Sequence, residues 1–143
     1  MLESIVSTIS ANPSLWTGIT LLTQQLLMGK YLSLNYRLRT VNMEKDQAKA
    51  LLDSKEFKIA HATQLNNAEW TPSFVVGMLF LHSVGKGNNM LLAGSVAGSC
   101  INYCFWKIYL NGRYQFLMPL CAVWRYTSFS WMLFELITYA NSL

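Results

Sequence analysis

Glu69 follows Asn66 by three residues and precedes Ser73 by four, which puts a carboxylate, an amide and a hydroxyl on one helical face. Pro72 lies within the same stretch. It removes one helix hydrogen bond, predicts a bend, and leaves the carbonyl of Ala68 in need of another partner. A bent, polar, half-buried segment of this kind suits either the wall of a polar-ligand site or a set of hydrogen bonds between helices. Arg125 and Glu135 are a second pair of ionisable residues inside an apolar stretch, and at 100° per residue they project to roughly opposite faces. They require separate partners, as structural ion pairs or at a subunit interface, whereas Lys107 is placed to snorkel.

Other chemistries find little support. Cys100, Cys104 and Cys121 sit in apolar surroundings with no CxxC spacing, and their odd number argues against a disulfide framework. The two histidines, His61 and His82, are far apart in sequence, so no metal site is expected. The net charge of +4 is small, and acids are interspersed among the basic residues between Arg37 and Lys58, which gives no reason to expect nucleic acid as a partner.

These residues are set in four apolar segments, expected as helices over about 13–36, 57–84, 90–110 and 115–139, within a single domain covering 1–143. Asn12-Pro13-Ser14 marks the first helix start. Met43 to Ala50 has alternating charge and good helix formers, and predicts a solvated helical turn or two. Gly85-Lys86-Gly87-Asn88-Asn89 reads as a tight turn, and Asn111-Gly112-Arg113 as a break. The composition is 52% hydrophobic and 13% charged, against about a quarter charged in soluble domains. The expectation is an all-α, transmembrane four-helix bundle, multi-pass and integral to a membrane. Glu3, with no basic residue before the apolar run, does not fit a signal peptide. The basic residues of the first and third loops place those loops in the cytosol, with both termini opposite. Small residues at 93 and 97 and at 94 and 98 form a stripe for close helix approach, within the chain or between subunits.

The run Tyr31-Leu32-Ser33-Leu34-Asn35-Tyr36-Arg37-Leu38-Arg39, then Gln64, Asn66, Glu69, Trp70 and Pro72 at their given spacing, resembles the MAPEG family, the membrane-associated proteins of eicosanoid and glutathione metabolism. The resemblance implies a four-helix subunit that assembles as a homotrimer, or enters a heteromeric membrane complex, in an endoplasmic reticulum or other organelle membrane. It implies glutathione as cofactor or co-substrate, contacted by Arg39, Gln64, Asn66 and Glu69, with Tyr103 and Tyr109 as further candidates and Arg113 as the cation that activates its sulfur. The implied activity is that of a membrane glutathione transferase or peroxidase acting on lipophilic small molecules drawn from the surrounding lipid. Ala62 and Asn102 stand where the family carries arginine. The alternative is therefore a non-catalytic protein of the same fold, serving as a structural subunit of a larger membrane complex.

Overall fold

The computed structural model describes residues 7–8, 11–109 and 117–143. The chain is all-α. Helix α1 spans Pro13–Leu32 and continues through a π-helical turn, Ser33–Arg37, into a short helical turn, Leu38–Thr40. Helix α2 (Lys45–Asp53) is the short solvated helix expected from the alternating charges, and runs a little longer than the one or two turns foreseen. Helices α3 (Lys55–Ser83), α4 (Met90–Tyr109) and α5 (Leu117–Ala140) complete the bundle. The first segment therefore stops being regular α-helix four residues before the expected Tyr36. The expected starts and ends of the other helices fall within two residues of those found, apart from the stretch from 110 to 116, which lies outside the described residues.

Each boundary has a local cause. Pro13 occupies the first turn of α1, where its missing N–H costs nothing. The Ser54 hydroxyl accepts from the Phe57 backbone N–H at 3.2 Å and caps α3. Pro72 lies inside α3, which nevertheless continues unbroken to Ser83. At the turn that follows, Gly85 takes a φ of 74°, and the backbone of His82 closes against Gly87. Asn89 then caps α4, its Oδ1 accepting from Leu92 N–H at 3.0 Å.

The helices run alternately up and down. The turn is tied to the start of α1: the Ser14 N–H and hydroxyl both donate to the Gly87 carbonyl, at 3.2 and 2.8 Å. Thr17 donates to the Ala93 carbonyl at 3.2 Å. Leu21, Phe74, Met78, Leu92, Val96 and Met132 form the main core, while Leu32, Tyr36 and Ala60 form a smaller one near the charged end. In the small-residue stripe, Ala93 is buried and Gly98 packs against the Trp124 ring, whereas Gly94 is exposed with open space beside it. The packing within the chain thus uses part of the stripe.

Beside this apolar core, several polar side chains are buried and several large apolar ones are exposed. Ser14, Thr17, Thr63, Asn67, Thr71, Ser99, Arg125 and Ser128 are buried, yet Leu91, Val76 and Phe134 are 76%, 68% and 66% exposed. Among the described residues, no helix is long and apolar enough to cross a membrane.

A Cβ on Gly87 would lie 2.7 Å from the His82 Cα, where backbone must move to make room, while one on Gly94 meets nothing within 4 Å. Gly87→Ala is expected to cost about 1–3 kcal/mol, read as a lower midpoint of thermal unfolding. Gly94→Ala should stay within about 0.5 kcal/mol. Equal midpoints for the two variants would rule out the close approach at the turn.

Candidate functional site

Residues 55, 59, 66 and 70 recur at helical spacing and give α3 one stripe: Lys55, Ile59, Asn66 and Trp70. Helix α4 supplies Tyr103, Trp106 and Lys107, and α5 supplies Met118, Pro119, Ala122, Arg125 and Tyr126. These three faces enclose a cavity of about 710 Å³, within the usual range of small-molecule sites. Lys55 and Asn66 are about 16 Å apart along the axis of α3 at ~1.5 Å per residue, so the cavity runs from the charged end of the bundle into its apolar part.

Arg125 sits at the inner end and is only 2% exposed. Its Nη1 donates a hydrogen bond to Asn66 Oδ1. Its guanidinium lies over the Tyr103 ring at 4.2 Å from the centroid, and 5.8 Å from that of Trp70. Both are within cation–π range. Its Nε and Nη2 have no hydrogen-bond partner. No ion pair to Arg125 occurs among the described residues, and the described residues lining the cavity include no Asp or Glu. A buried cation with two idle donors, and two further cations along the same wall, make an anion-binding arrangement.

The surroundings hold Arg125 rigidly. Trp70 packs edge-on against Tyr126 and Phe129, with centroids 5.0 and 5.7 Å apart, and Phe129 packs against Phe74 at 5.6 Å. Such pairs contribute about 0.5–1.5 kcal/mol each beyond their buried area. One turn beyond Arg125, Ser128 donates to the Trp124 carbonyl at 2.9 Å, so its hydroxyl hydrogen is already used. Ser95, 2.7 Å away, therefore donates to Ser128 and accepts from Trp124 Nε1 at 3.1 Å. This ring of bonds locks α4 to α5 beside the cavity.

Of the residues expected to form the site, Asn66 and Tyr103 come together, and they do so through Arg125. Glu69 and Arg39 are exposed and Gln64 is half-buried, and none of the three lines the cavity. Asn66 and Glu69 share a helical face only loosely, and that difference is enough to leave the carboxylate outside. Tyr109 closes α4, but its side chain and the whole of Arg113 lie outside the described residues. The ion-pair role anticipated for Arg125 is not realised, because its partners are an amide and aromatic rings. Glu135 is held by neutral donors, Asn89 Nδ2 at 3.3 Å and Trp131 Nε1 at 3.2 Å. The signal for Arg125 was an ionisable residue within an apolar run. Its pairing with Asn66, in a different helix, left no trace in local spacing.

Asn66 accepts a hydrogen bond from a buried guanidinium whose Nε and Nη2 have no partner among the described residues. Asn66→Leu is expected to destabilise the ligand-free protein by about 1–3 kcal/mol. Adding Arg125→Met to that variant should recover most of the loss, because it removes the stranded charge. Chemical denaturation of the single and double variants in mild detergent measures the coupling; strict additivity would contradict it.

The chain matches no family model, and neither the curated proteins nor the solved structures compared with it include a match.

Proposed function

We propose that this chain is a multi-pass membrane protein of MAPEG-like type. In this reading α1, α3, α4 and α5 cross the bilayer, and the Arg125 cavity binds glutathione for transfer to, or reduction of, lipophilic electrophiles. The observation that carries the proposal is the buried Arg125 with idle donors, in a cavity whose described lining has Lys55 and Lys107 and no Asp or Glu. Glutathione is an elongated thiol peptide with a carboxylate near each end, and such a cavity offers a cation at each end.

The many apolar side chains on the outer surface support the membrane setting. Mean hydropathy counts every side chain of a helix alike, whichever way it faces. Here the residues that lower it, such as Thr63, Asn67, Ser99 and Arg125, turn inward. Residues 16–29, 70–81 and 90–106 contain no charged residue at all. Leu22, Leu26, Leu27, Val76, Leu91, Val123 and Phe134 point outward from the bundle, presenting to lipid the surface that lipid tolerates. At ~1.5 Å per residue, α1 and α4 match the roughly 30 Å hydrocarbon core, and α3 extends beyond it. The basic residues of the first loop and Lys107 then mark the cytosolic rim. Exposed Arg39 and Glu69 would meet an adjoining subunit of a trimer or of a heteromeric complex.

The chemistry asked of the site is modest. In transfer, the thiol proton passes to water, the sulfur electron pair forms the new bond to the electrophilic carbon, and the group displaced takes up a proton. In reduction of a hydroperoxide, the sulfur takes the terminal oxygen and the alcohol leaves, and a second glutathione thiol displaces that oxygen as water, leaving the disulfide. The excess of cations along the cavity favours the thiolate over the thiol.

One observation favours the non-catalytic alternative: Asn102, which stands where the family carries arginine, spends its amide on the Gly98 carbonyl of its own helix, at 2.9 Å. Calorimetric titration separates the readings. Glutathione is expected to bind the detergent-solubilised protein in the millimolar range or tighter. Replacing Lys55 and Lys107 together by Ala should weaken it about tenfold or more, since a charge-assisted contact is worth ~1.5–3 kcal/mol. Absence of binding at saturating glutathione leaves the structural-subunit reading. Release of the protein from membranes by carbonate washing would remove the membrane setting for both.

A further inference from the structure

The unused part of Arg125 has a specific shape. A planar guanidinium carries one side edge on which the Nε–H and an Nη2–H run parallel, spaced to meet both oxygens of a carboxylate. In this protein Nη1, on the other side, is engaged by Asn66, and the guanidinium carbon lies over the Tyr103 ring and, further off, that of Trp70. The two nitrogens left without partners are Nε and Nη2. They are the two members of that fork, on a side chain that lines the cavity; both are covered in the ligand-free protein, so a ligand reaches them as the cavity wall gives way.

We propose that the Nε–Nη2 edge of Arg125 is a carboxylate-receiving subsite, and that the cavity takes molecules joining a carboxylate to an apolar or peptidic body. Three features select this class. The fork supplies two parallel donors and a single charge at depth, which balances a carboxylate and leaves a doubly charged phosphate under-compensated. The remaining cations, Lys55 and Lys107, lie on other parts of the wall and are free to hold a second anionic group. Between them the wall is aromatic and aliphatic, with Ile59, Trp106, Met118 and Ala122, so the body of the ligand need not be polar. A bound carboxylate would complete the hydrogen bonding of Arg125 and offset the cost of enclosing its charge.

The inference rests on the Arg125 cavity being a ligand site, as proposed above, but not on glutathione being the ligand. Purified full-length protein in nanodiscs is titrated with glutathione, glutathione diethyl ester, octanoate, octanamide and inorganic phosphate, following the fluorescence of the tryptophans at the cavity wall. The wild type is expected to bind each carboxylate at least tenfold more tightly than its neutral counterpart and more tightly than phosphate. Arg125→Lys keeps the charge and loses the fork, so it should weaken carboxylate binding at least tenfold. If that variant does not fold, arginine-labelled wild type supplies the readout: one arginine Nε–H resonance should move downfield on adding octanoate. Glutathione binding equally well to the wild type and to Arg125→Lys would overturn the subsite and leave the proposed function standing. Octanoate binding without glutathione binding would do the reverse. Equal affinity for acids and neutral counterparts, or no shifted arginine resonance at saturation, would also overturn it.

Discussion

Every polar group enclosed by these helices must find a partner inside them. Among the described residues, eight polar or charged side chains, from Ser14 to Ser128, are buried, and leucine, valine and phenylalanine occupy much of the outer surface. In a bundle of this kind the burial of apolar surface cannot be the whole of what selects one arrangement, because much of that surface is not buried. Directional contacts carry more of the selection: Ser14 to the Gly87 carbonyl, Thr17 to the Ala93 carbonyl, Gln24 to the Cys100 carbonyl at 3.2 Å, and the ring of bonds among Ser95, Ser128 and Trp124. They recur at successive levels and link α1 to α4, and α4 to α5, so sliding one helix along another breaks several at once. A hydrogen bond in apolar surroundings contributes modestly when made but is costly to leave unmade. That asymmetry turns a few hydroxyls into register marks.

The same rule makes Arg125 conspicuous. Asn67 and Thr71 also keep buried polar atoms without partners, but these are neutral. A guanidinium has five N–H donors, and an amide and two aromatic rings answer only part of its demand. Natural bundles retain such a residue where its burial serves recognition, since replacing an internal charge by an apolar group is often neutral or favourable to stability. The aromatic packing of Trp70, Phe74, Tyr126 and Phe129 gives that residue a fixed seat, and the polar lock one turn away keeps the two flanking helices from closing over the cavity.

Much of the architecture was legible in the chain itself. Asn12-Pro13 and Gly85 to Asn89 punctuate the apolar runs clearly, and the helices begin and end close to where those signals fall. The site was legible only in part. Asn66 was singled out by its spacing to Glu69 and again by the family resemblance, Tyr103 by the resemblance alone, and the cavity brings both together. Glu69 lies outside the cavity because a three-residue step leaves a 60° offset around the helix, enough to move a carboxylate from the cavity to the outer surface. Arg125 was seen, but its surroundings were not: its partner Asn66 is on another helix, and no periodicity within α5 encodes which residue faces it. The role of direction was also hidden, since a composition average treats Asn67 and Leu91 alike whichever way they point.

The π-helical turn at Ser33–Arg37, where the Leu38 N–H reaches back to the Ser33 carbonyl, holds one residue more than an α-helical path over the same rise. Deleting one residue there would let the segment relax to regular helix with the stretches before and after it close to where they are, whereas a deletion in the regular part of α1 would swing everything after it by about 100° around the axis. The turn is thus a point at which the chain can lose a residue and still present Arg37 and Arg39 in their present direction without repacking the bundle.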